Sequence, residues 1–393
     1  MNRRALRGAP PVRRSRTSPE GRPFPTQAQL DLLKAAVLPA DQAAPAWRRW
    51  KSRGIPLVEV DDASGRLFSQ LWTNRSAAAI DEEDLPLLKG VYRQALASNA
   101  VTLNSAFETT QPLIEAGIPV VFIKGAAMIA AVGGRLGLRR IVDVDVIVPE
   151  ADAERAVAAL KAAGHQEKGP TGLPPAFDLH PAWTCLAPNK SELDLHWWAY
   201  KTPGDDRCVF ETARPATLLG RSVLIPSATE MLVMAVAGAF VGAPPDSPLR
   251  WIADAMVLFE LEDAHIEWDV LLQRAWRPGL TLGLIAGLAF LAREFAAPVP
   301  PYVLANLRRR PVTLRERGAH WAACHDPRVG LRLLHHLEMH RTRRLRDPAG
   351  VPRDFLGYLA QSTGARTGKR RDVFERHAVL VVRRIIKRES LLR

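Results

Sequence analysis

Two aspartates lie one residue apart inside the apolar run VDVDVIV, residues 142–148. Because side chains alternate along a strand, Asp143 and Asp145 are predicted to project from one face, and Val144 and Val146 from the other. Two such carboxylates repel each other and lose hydration unless a positive charge lies between them. The run therefore indicates either a divalent-metal site or a solvent-exposed edge, and taken alone it leaves both open.

A further predicted strand, SELDLHWW at residues 191–198, favours the metal site. Glu192, Asp194 and His196 share one of its faces. If this strand pairs beside the first, Asp194 completes a cluster of three carboxylates. Hard oxygen ligands of this kind suit Mg²⁺, which usually keeps several waters and is completed by substrate phosphates. His196 either orients a carboxylate or contacts substrate, or it is a partly buried structural histidine.

The segment IKGAAM, residues 123–128, predicts the end of a strand, a glycine turn and the start of a helix. Such a turn directs free backbone N–H groups toward one point, where an anion can bind. Gly125 permits the close approach of a ligand, and Lys124 adds positive charge. The segment is therefore a predicted anion-binding site.

The periodicity of the apolar residues changes twice along the chain. It is helical before residue 116, becomes short β-branched runs separated by glycines from Ile118, and is helical again from Pro226. We predict an α+β fold in which a small mixed-sheet core is flanked by N-terminal and C-terminal helical regions. The predicted parts are a disordered basic tail (1–25), a helical lead-in (26–116), the α/β core (117–225), a helical domain (226–365) and a basic C-terminal helix (366–393). In the core, the predicted strands are 118–124, 142–148, 182–188 and 191–198, with the last two in a hairpin, and the predicted helices are 126–132 and 152–165.

The positive charge is concentrated at the two ends of the chain. The formal net charge is +13, of which residues 1–22 contribute +6 and residues 366–393 contribute +7, so the remaining 343 residues sum to zero. A domain that binds a polynucleotide backbone usually spreads lysine and arginine over its own folded face. We therefore expect the basic tails to contact any acidic partner. The C-terminal helix either docks on a partner or an anionic surface, or packs on its own domain.

The sequence predicts a cytoplasmic protein without a transmembrane segment. The longest apolar runs, Met231 to Ala243 and Leu280 to Ala292, have 13 residues each, whereas a membrane-spanning helix needs roughly 20. The arginine-rich N-terminus has no apolar run behind it, so we do not expect a secretory signal. Three cysteines without CxxC spacing argue against a disulfide framework, which fits a reducing compartment.

The ordered set KGAA, DVDVIV and ELDLHW, followed by LRWIADAMVLFE, WDVLLQRA and APVPPYVL, resembles a known family. It is similar to a poorly characterised bacterial nucleotidyltransferase family of the DNA polymerase β-like nucleotidyltransferase superfamily. The resemblance covers roughly residues 30 to 310, and members of this family carry Lys-Gly where the superfamily has Gly-Ser. The 117–225 core is, by this resemblance, a nucleotidyltransferase core.

The resemblance implies roles for four residues. Gly125 would lie against the triphosphate of an NTP substrate, and Asp143 and Asp145 would hold two Mg²⁺ ions. Asp194 would bind the metal nearer the acceptor and help to deprotonate the acceptor hydroxyl. These three aspartates are the predicted catalytic and metal-binding residues.

Three basic residues complete the predicted site. Lys124 and Arg139 would contact phosphate. Arg250 would face the triphosphate across the cleft, or else form an intrahelical ion pair with Asp254, four residues later. The chain departs from the superfamily pattern at Ala126, because the serine that follows the glycine is absent. One phosphate contact would then come from Lys124 or from the backbone.

The implied activity is Mg²⁺-dependent transfer of a nucleoside monophosphate from an NTP to an acceptor hydroxyl on a small molecule, peptide or protein. Two alternatives stay open. The first is a non-catalytic nucleotide-binding or regulatory module with the same fold, which the missing serine would permit. The second is a nucleic-acid end-modifying enzyme, which the neutral core disfavours.

Overall fold

The computed structural model of the 393-residue chain describes residues 23–168, 181–200, 206–240, 249–261, 265–277, 279–325, 337, 340–341, 343–344 and 351–362. The helix predicted for residues 366–393 and the first 22 residues of the basic tail lie outside these ranges.

The lead-in is helical, as its apolar spacing predicts. Thr26 begins the first helix with a capping box, in which its backbone N–H donates to Gln29 Oε1 at 2.9 Å and its hydroxyl accepts from the Gln29 N–H. The stacked rings of Trp47 and Trp50, 5.1 Å apart, are almost fully buried. The helices are α1 (Gln27–Val37), α2 (Ala40–Lys51), a 3₁₀ turn (Leu57–Glu59), α3 (Asp62–Gly65), α4 (Phe68–Thr73), α5 (Arg75–Ala78) and α6 (Leu85–Glu115).

A seven-stranded mixed sheet follows, and every strand in the described ranges lies between residues 121 and 225. The strands are β1 (Val121–Phe122), β2 (Val144–Ile147), β3 (Gln166–Glu167), β4 (Ala182–Leu186), β5 (Glu192–His196), β6 (Arg214–Leu218) and β7 (Arg221–Ile225). Their order is β3-β4-β5-β2-β1-β7-β6; β2 is parallel to β5, β1 is parallel to β7, and the other pairs are antiparallel. The connections contain α7 (Lys124–Ala131), a 3₁₀ turn (Glu150–Asp152), α8 (Ala153–Ala162) and α9 (Arg207–Glu211).

The sheet differs from the sequence prediction in two respects. The hairpin of β4 and β5 forms as predicted, but β1 and β2 are shorter than the predicted 118–124 and 142–148, and Asp143 lies in a bend just before β2. Strands β3, β6 and β7 were not predicted. The loop joining β6 to β7 has two residues, Leu219 and Gly220, both with positive φ, and a leucine there hides the usual turn signal.

The C-terminal region is again helical. Its helices are α10 (Ala228–Phe240), α11 (Arg250–Glu260), α12 (Trp268–Ala275), α13 (Thr281–Phe295), α14 (Pro301–Arg309), α15 (Leu314–His325) and α16 (Phe355–Ser362). The predicted α+β fold, with a mixed-sheet core between two helical regions, is therefore confirmed. None of the helices in the described ranges is long and apolar enough to span a membrane.

One continuous hydrophobic core connects the lead-in, the sheet and the C-terminal helices. Phe24, which the sequence prediction assigned to the disordered tail, is buried in it against the rings of Phe240, Trp251 and Phe290. The Trp251 indole N–H also donates to the Pro23 carbonyl at 2.7 Å. Residues 23 and 24 thus pack with the core, while the five-part division itself stays a prediction.

Candidate functional site

A cavity of about 350 Å³ lies between the start of α7, the start of β2 and helices α10 and α11. Three kinds of side chain line it. The carboxylates are those of Asp143, Asp145 and Asp254; the basic groups are those of Arg66, Lys124, Arg139 and Arg250; the remaining wall is mostly apolar, and Met128, Ile141, Met231, Met234, Ala235, Ala239 and Trp251 form much of it.

The sheet brings two of the predicted aspartates side by side. Strands β2 and β5 are parallel neighbours, and Asp145 lies opposite Asp194 in their register. One ligand atom from each of these two residues and from His196 lie within 4.8 Å of one another. Asp194 contributes to this cluster, although it is not among the residues that line the cavity.

Asp143 belongs to the cavity but not to that cluster. It is half-buried in the bend before β2, and no oxygen of it joins the 4.8 Å group. Burial raises the pKa of Asp143, and the nearby charge of Asp145 raises it further. The two residues thus face the same cavity, even though only Asp145 is part of the strand.

A lysine supplies the positive charge that the paired aspartates require. The Nζ of Lys124 donates a short hydrogen bond to Oδ1 of Asp145 and lies 3.2 Å from Nε2 of His196, which is itself 3.0 Å from the same carboxylate oxygen. The sequence argument assigned this charge to a divalent metal. Here the ammonium of the neighbouring turn neutralises one of the carboxylates.

The backbone of Lys124 is strained. Its φ of +51° lies in the left-handed region, which is costly for any residue with a Cβ. This conformation turns the chain from β1 directly into α7, and strain of this kind is typical of functional sites.

The carboxylates have unequal proton affinities. Burial raises the pKa of Asp145, but the charge of Lys124 and the hydrogen bond with His196 outweigh it, so the net shift is downward. Burial raises the pKa of Asp194 to about 6, although a hydrogen bond from Thr184 opposes the shift. One carboxylate is therefore held ionised, and its neighbour titrates close to neutrality.

The side chains at this cluster offer ligand atoms that fit a hard cation. No donor in the described ranges reaches Oδ1 of Asp194, which is fully buried. An unpartnered buried carboxylate oxygen is energetically costly, and a cation bound between Asp145 and Asp194 would satisfy it. Two carboxylates and an imidazole within 4.8 Å could hold a divalent ion, and Mg²⁺ prefers the carboxylate oxygens.

Gly125 is required by packing as well as by any ligand. A Cβ at this position would lie 2.6 Å from Cγ2 of Ile141 and 3.5 Å from Nη2 of Arg139. The residue therefore brings the start of α7 against the segment that precedes β2. Asn99 of α6 fixes that segment, because its amide donates to the Arg139 carbonyl at 2.6 Å and accepts from the Ile141 N–H at 2.9 Å.

The arginines are arranged differently from the intrahelical pairing that the sequence permits. Asp254 pairs with Arg139, and both are buried. Arg250 makes no ion pair within the described ranges and lines the cavity. Burial lowers the pKa of Arg250 to about 10, and the charge of Arg139 adds to the effect. Arg139 and Arg250 thus lie on one wall, with Arg139 against Gly125.

The structure adds residues that the sequence prediction did not assign. His196 was recognised on the face of Asp194, but its contact with Lys124 was not foreseen. Arg66, Asn99 and Tyr200 carried no signal, because their proximity depends on packing between distant helices. Tyr200 lines the cavity and donates its hydroxyl to the buried Glu230.

Comparisons with known proteins agree with the resemblance. A family model described as "Uncharacterised nucleotidyltransferase" matches residues 52–296. No curated protein matches the chain. Two solved structures of the antibiotic-resistance factor ANT(2'')-Ia, one in solution and one a crystal structure with adenylyl-2''-tobramycin, are 16% identical, with a TM-score of 0.32. They cover 50% and 49% of this chain and 95% and 98% of their own.

Proposed function

The chain belongs to the uncharacterised nucleotidyltransferase family whose model spans residues 52–296, and we propose that it moves a nucleoside monophosphate from an NTP to an acceptor hydroxyl in a Mg²⁺-dependent reaction. One observation supports the proposal above all: Asp145 and Asp194 are paired on parallel strands, and a buried oxygen of Asp194 has no donor in the described ranges.

Asp145 and Asp194 would hold Mg²⁺, and Asp143 would complete the ligands from the cavity wall. When bound, two such ions would stabilise the negative charge on the attacking and leaving oxygens. The number of ions stays a prediction.

The residues of this chain have separate tasks in that reaction. Asp194 would hold the metal nearer the acceptor and help to accept the proton of the acceptor hydroxyl, as the resemblance implies. Gly125 lines the cavity at the start of α7, and Lys124 and Arg139 would provide positive charge on either side of it. The apolar wall, with Met231 and Met234, suits the face of a nucleobase.

The test begins with purified protein, each α-labelled NTP, Mg²⁺ and a fractionated cell extract. We expect label from one or more NTPs to enter an acceptor fraction, and Mg²⁺ with the same NTP to raise the melting temperature. Asp145→Asn should abolish labelling, because an amide is a poorer ligand for a hard cation. Glu154→Gln is the matched control, since Glu154 is exposed on α8 and lies outside the cavity lining. If the wild type neither transfers label nor shows a Mg²⁺-dependent rise in melting temperature with any NTP, the proposed activity is wrong.

The contact between Lys124 and Asp145 favours a second candidate, a non-catalytic nucleotide-binding module. Such a module would use the ammonium in place of a metal. It would bind NTP equally well with Mg²⁺ and with excess EDTA, whereas the proposed enzyme would lose most of its affinity in EDTA. The acceptor class, a cytoplasmic location and an acidic partner for the basic tails stay predictions.

A further inference from the structure

Arg66 is a basic residue of the cavity that comes from the N-terminal helices. Arg66 is the C-cap residue of α3, and the packing of α3 fixes its position. Asp61 caps α3 by accepting from the Ser64 N–H at 3.1 Å, and Gln29 of α1 donates to the same carboxylate at 3.1 Å. Arg66 is therefore held at the cavity by buried helices, although its own side chain is 36% exposed.

A series of contacts leads from the paired aspartates to Asp254, and Arg66 lines the same cavity. Lys124 contacts Asp145, and the next residue, Gly125, lies against the guanidinium of Arg139. Arg139 is bonded to Asp254 on α11, and Arg250 lies one turn earlier on that helix. Arg66, Arg139 and Arg250 also line a small adjoining cavity of about 20 Å³. The basic groups thus extend away from the carboxylates along one wall.

The positive charge at the far end of this wall is poorly compensated. Asp254 is engaged by Arg139, and Arg250 has no ion-pair partner in the described ranges. The partner of Arg66 is Asp62, whose side chain is 79% exposed and therefore well solvated. Burial and the charge of Arg139 lower the pKa of Arg250 most, and Arg66 adds a smaller lowering, while Asp254 and Asp143 oppose it. Clustered guanidinium groups of this kind suit a ligand with several adjacent anionic oxygens.

We infer that Arg66, with Arg250, binds the terminal phosphates of the NTP, so that the N-terminal helices supply part of the substrate site. This inference rests on the proposed function and specifies the direction of the nucleotide. The α-phosphate lies near Asp145 and Asp194, and the polyphosphate runs past Gly125 and Arg139 to the arginines.

The test compares Arg66→Gln with Arg93→Gln, which removes the same charge from an exposed position on α6 outside the cavity lining. Binding of inorganic tripolyphosphate, of the four common NTPs and of their nucleosides is measured by calorimetry, with thermal melts to verify folding. We expect Arg66→Gln to weaken tripolyphosphate and NTP binding about tenfold, the order expected when a charged hydrogen-bond donor is lost. Nucleoside binding should be unchanged, and Arg93→Gln should behave as the wild type.

Three results would overturn the inference, and they differ in what else they contradict. If the wild type binds an NTP, and Arg66→Gln binds tripolyphosphate with the same affinity as Arg93→Gln, Arg66 is not a phosphate ligand. The proposed function is then unaffected. If the wild type binds neither NTP nor tripolyphosphate with or without Mg²⁺, the proposed function fails and the inference fails with it. A uniform loss of nucleoside and NTP binding in a folded Arg66→Gln protein would mean that Arg66 shapes the whole cavity, which also contradicts a phosphate contact.

Discussion

Asp194 is a residue whose burial lowers the stability of the metal-free protein at neutral pH. Its pKa is about 6 in the folded protein, raised mainly by burial, whereas an unfolded aspartate has a pKa of about 3.9. Between these values the folded chain holds a proton that the unfolded chain has lost. The contribution of Asp194 to stability is therefore greatest below about pH 4, declines as the pH rises toward 6, and is constant above it.

We predict that Asp194→Asn stabilises the metal-free protein at pH 7.5, by about 1 to 3 kcal/mol. The amide can keep the hydrogen bond with Thr184 but carries no charge to desolvate. Urea unfolding in EDTA at pH 4.5 and pH 7.5 measures the effect, which should be much smaller at the lower pH. Glu154→Gln is again the control. A variant less stable than the wild type at pH 7.5 would show that the carboxylate has a partner.

The ammonium of Lys124 stabilises the fold, whereas its left-handed backbone conformation destabilises it. Two substitutions separate these two contributions to the free energy of unfolding. Lys124→Met removes the ammonium and leaves the φ of +51°, whereas Lys124→Gly removes the ammonium and relieves the strain. We predict that Lys124→Met costs about 2 kcal/mol at pH 7, because it leaves Asp145 buried beside only His196. Lys124→Gly should be about 1 kcal/mol more stable than Lys124→Met.

The pH dependence identifies the electrostatic part of the Lys124 effect. The pKa of Asp145 is depressed in the folded protein, so its contribution is present above the unfolded value of about 4 and is lost as the pH falls below it. The difference between wild type and Lys124→Met should therefore shrink on acidification below pH 4. A difference independent of pH would mean that the ion pair adds no stability.

At the level of elements, the junction of α7 with the segment before β2 has no space for a side chain at residue 125. We predict that Gly125→Ala destabilises the fold by about 1 to 3 kcal/mol, since its Cβ would lie 2.6 Å from Cγ2 of Ile141. In the Ile141→Ala background the same change should cost less, and a double-mutant cycle of chemical unfolding measures the coupling. Additive costs would contradict a steric origin.

The strands that carry the site aspartates were largely predictable from the sequence, whereas the helices that pack beside them were not. Asp145 lies in a β-branched strand, and Asp194 lies in a strand where polar residues alternate with leucine. Only the assumption that these strands pair was needed to bring the two aspartates together. The length of β1 was overestimated because Lys124 leaves the extended conformation early. The positions of Arg66 and Asn99 could not be predicted, since local periodicity does not show which distant helices pack against the sheet.

For the whole molecule, Phe24 lies near the start of the described residues and is buried in the hydrophobic core. Its ring centroid lies 4.9 Å from that of Phe290 and 5.6 Å from that of Phe240. We predict that Phe24→Ala costs about 3 kcal/mol, a typical value for loss of a buried ring, while deletion of residues 1–22 leaves the melting temperature nearly unchanged. Thermal melts of the Phe24→Ala protein and of the protein without residues 1–22 measure the two effects. An equal loss in both would place part of the folding energy in the basic tail.

Arg66, Lys124 and Arg250 line one cavity, although they lie far apart in the sequence. They are therefore synthesised at different times. A nascent chain that has emerged only as far as the sheet has the paired aspartates but lacks α11. Under the proposed function, such a chain would lack Arg250 and the apolar wall of α11, so nucleotide would stabilise it less than it stabilises the complete protein. If the proposal holds, nucleotide would therefore protect the completed protein from proteolysis more than it protects a nascent chain that ends before α11.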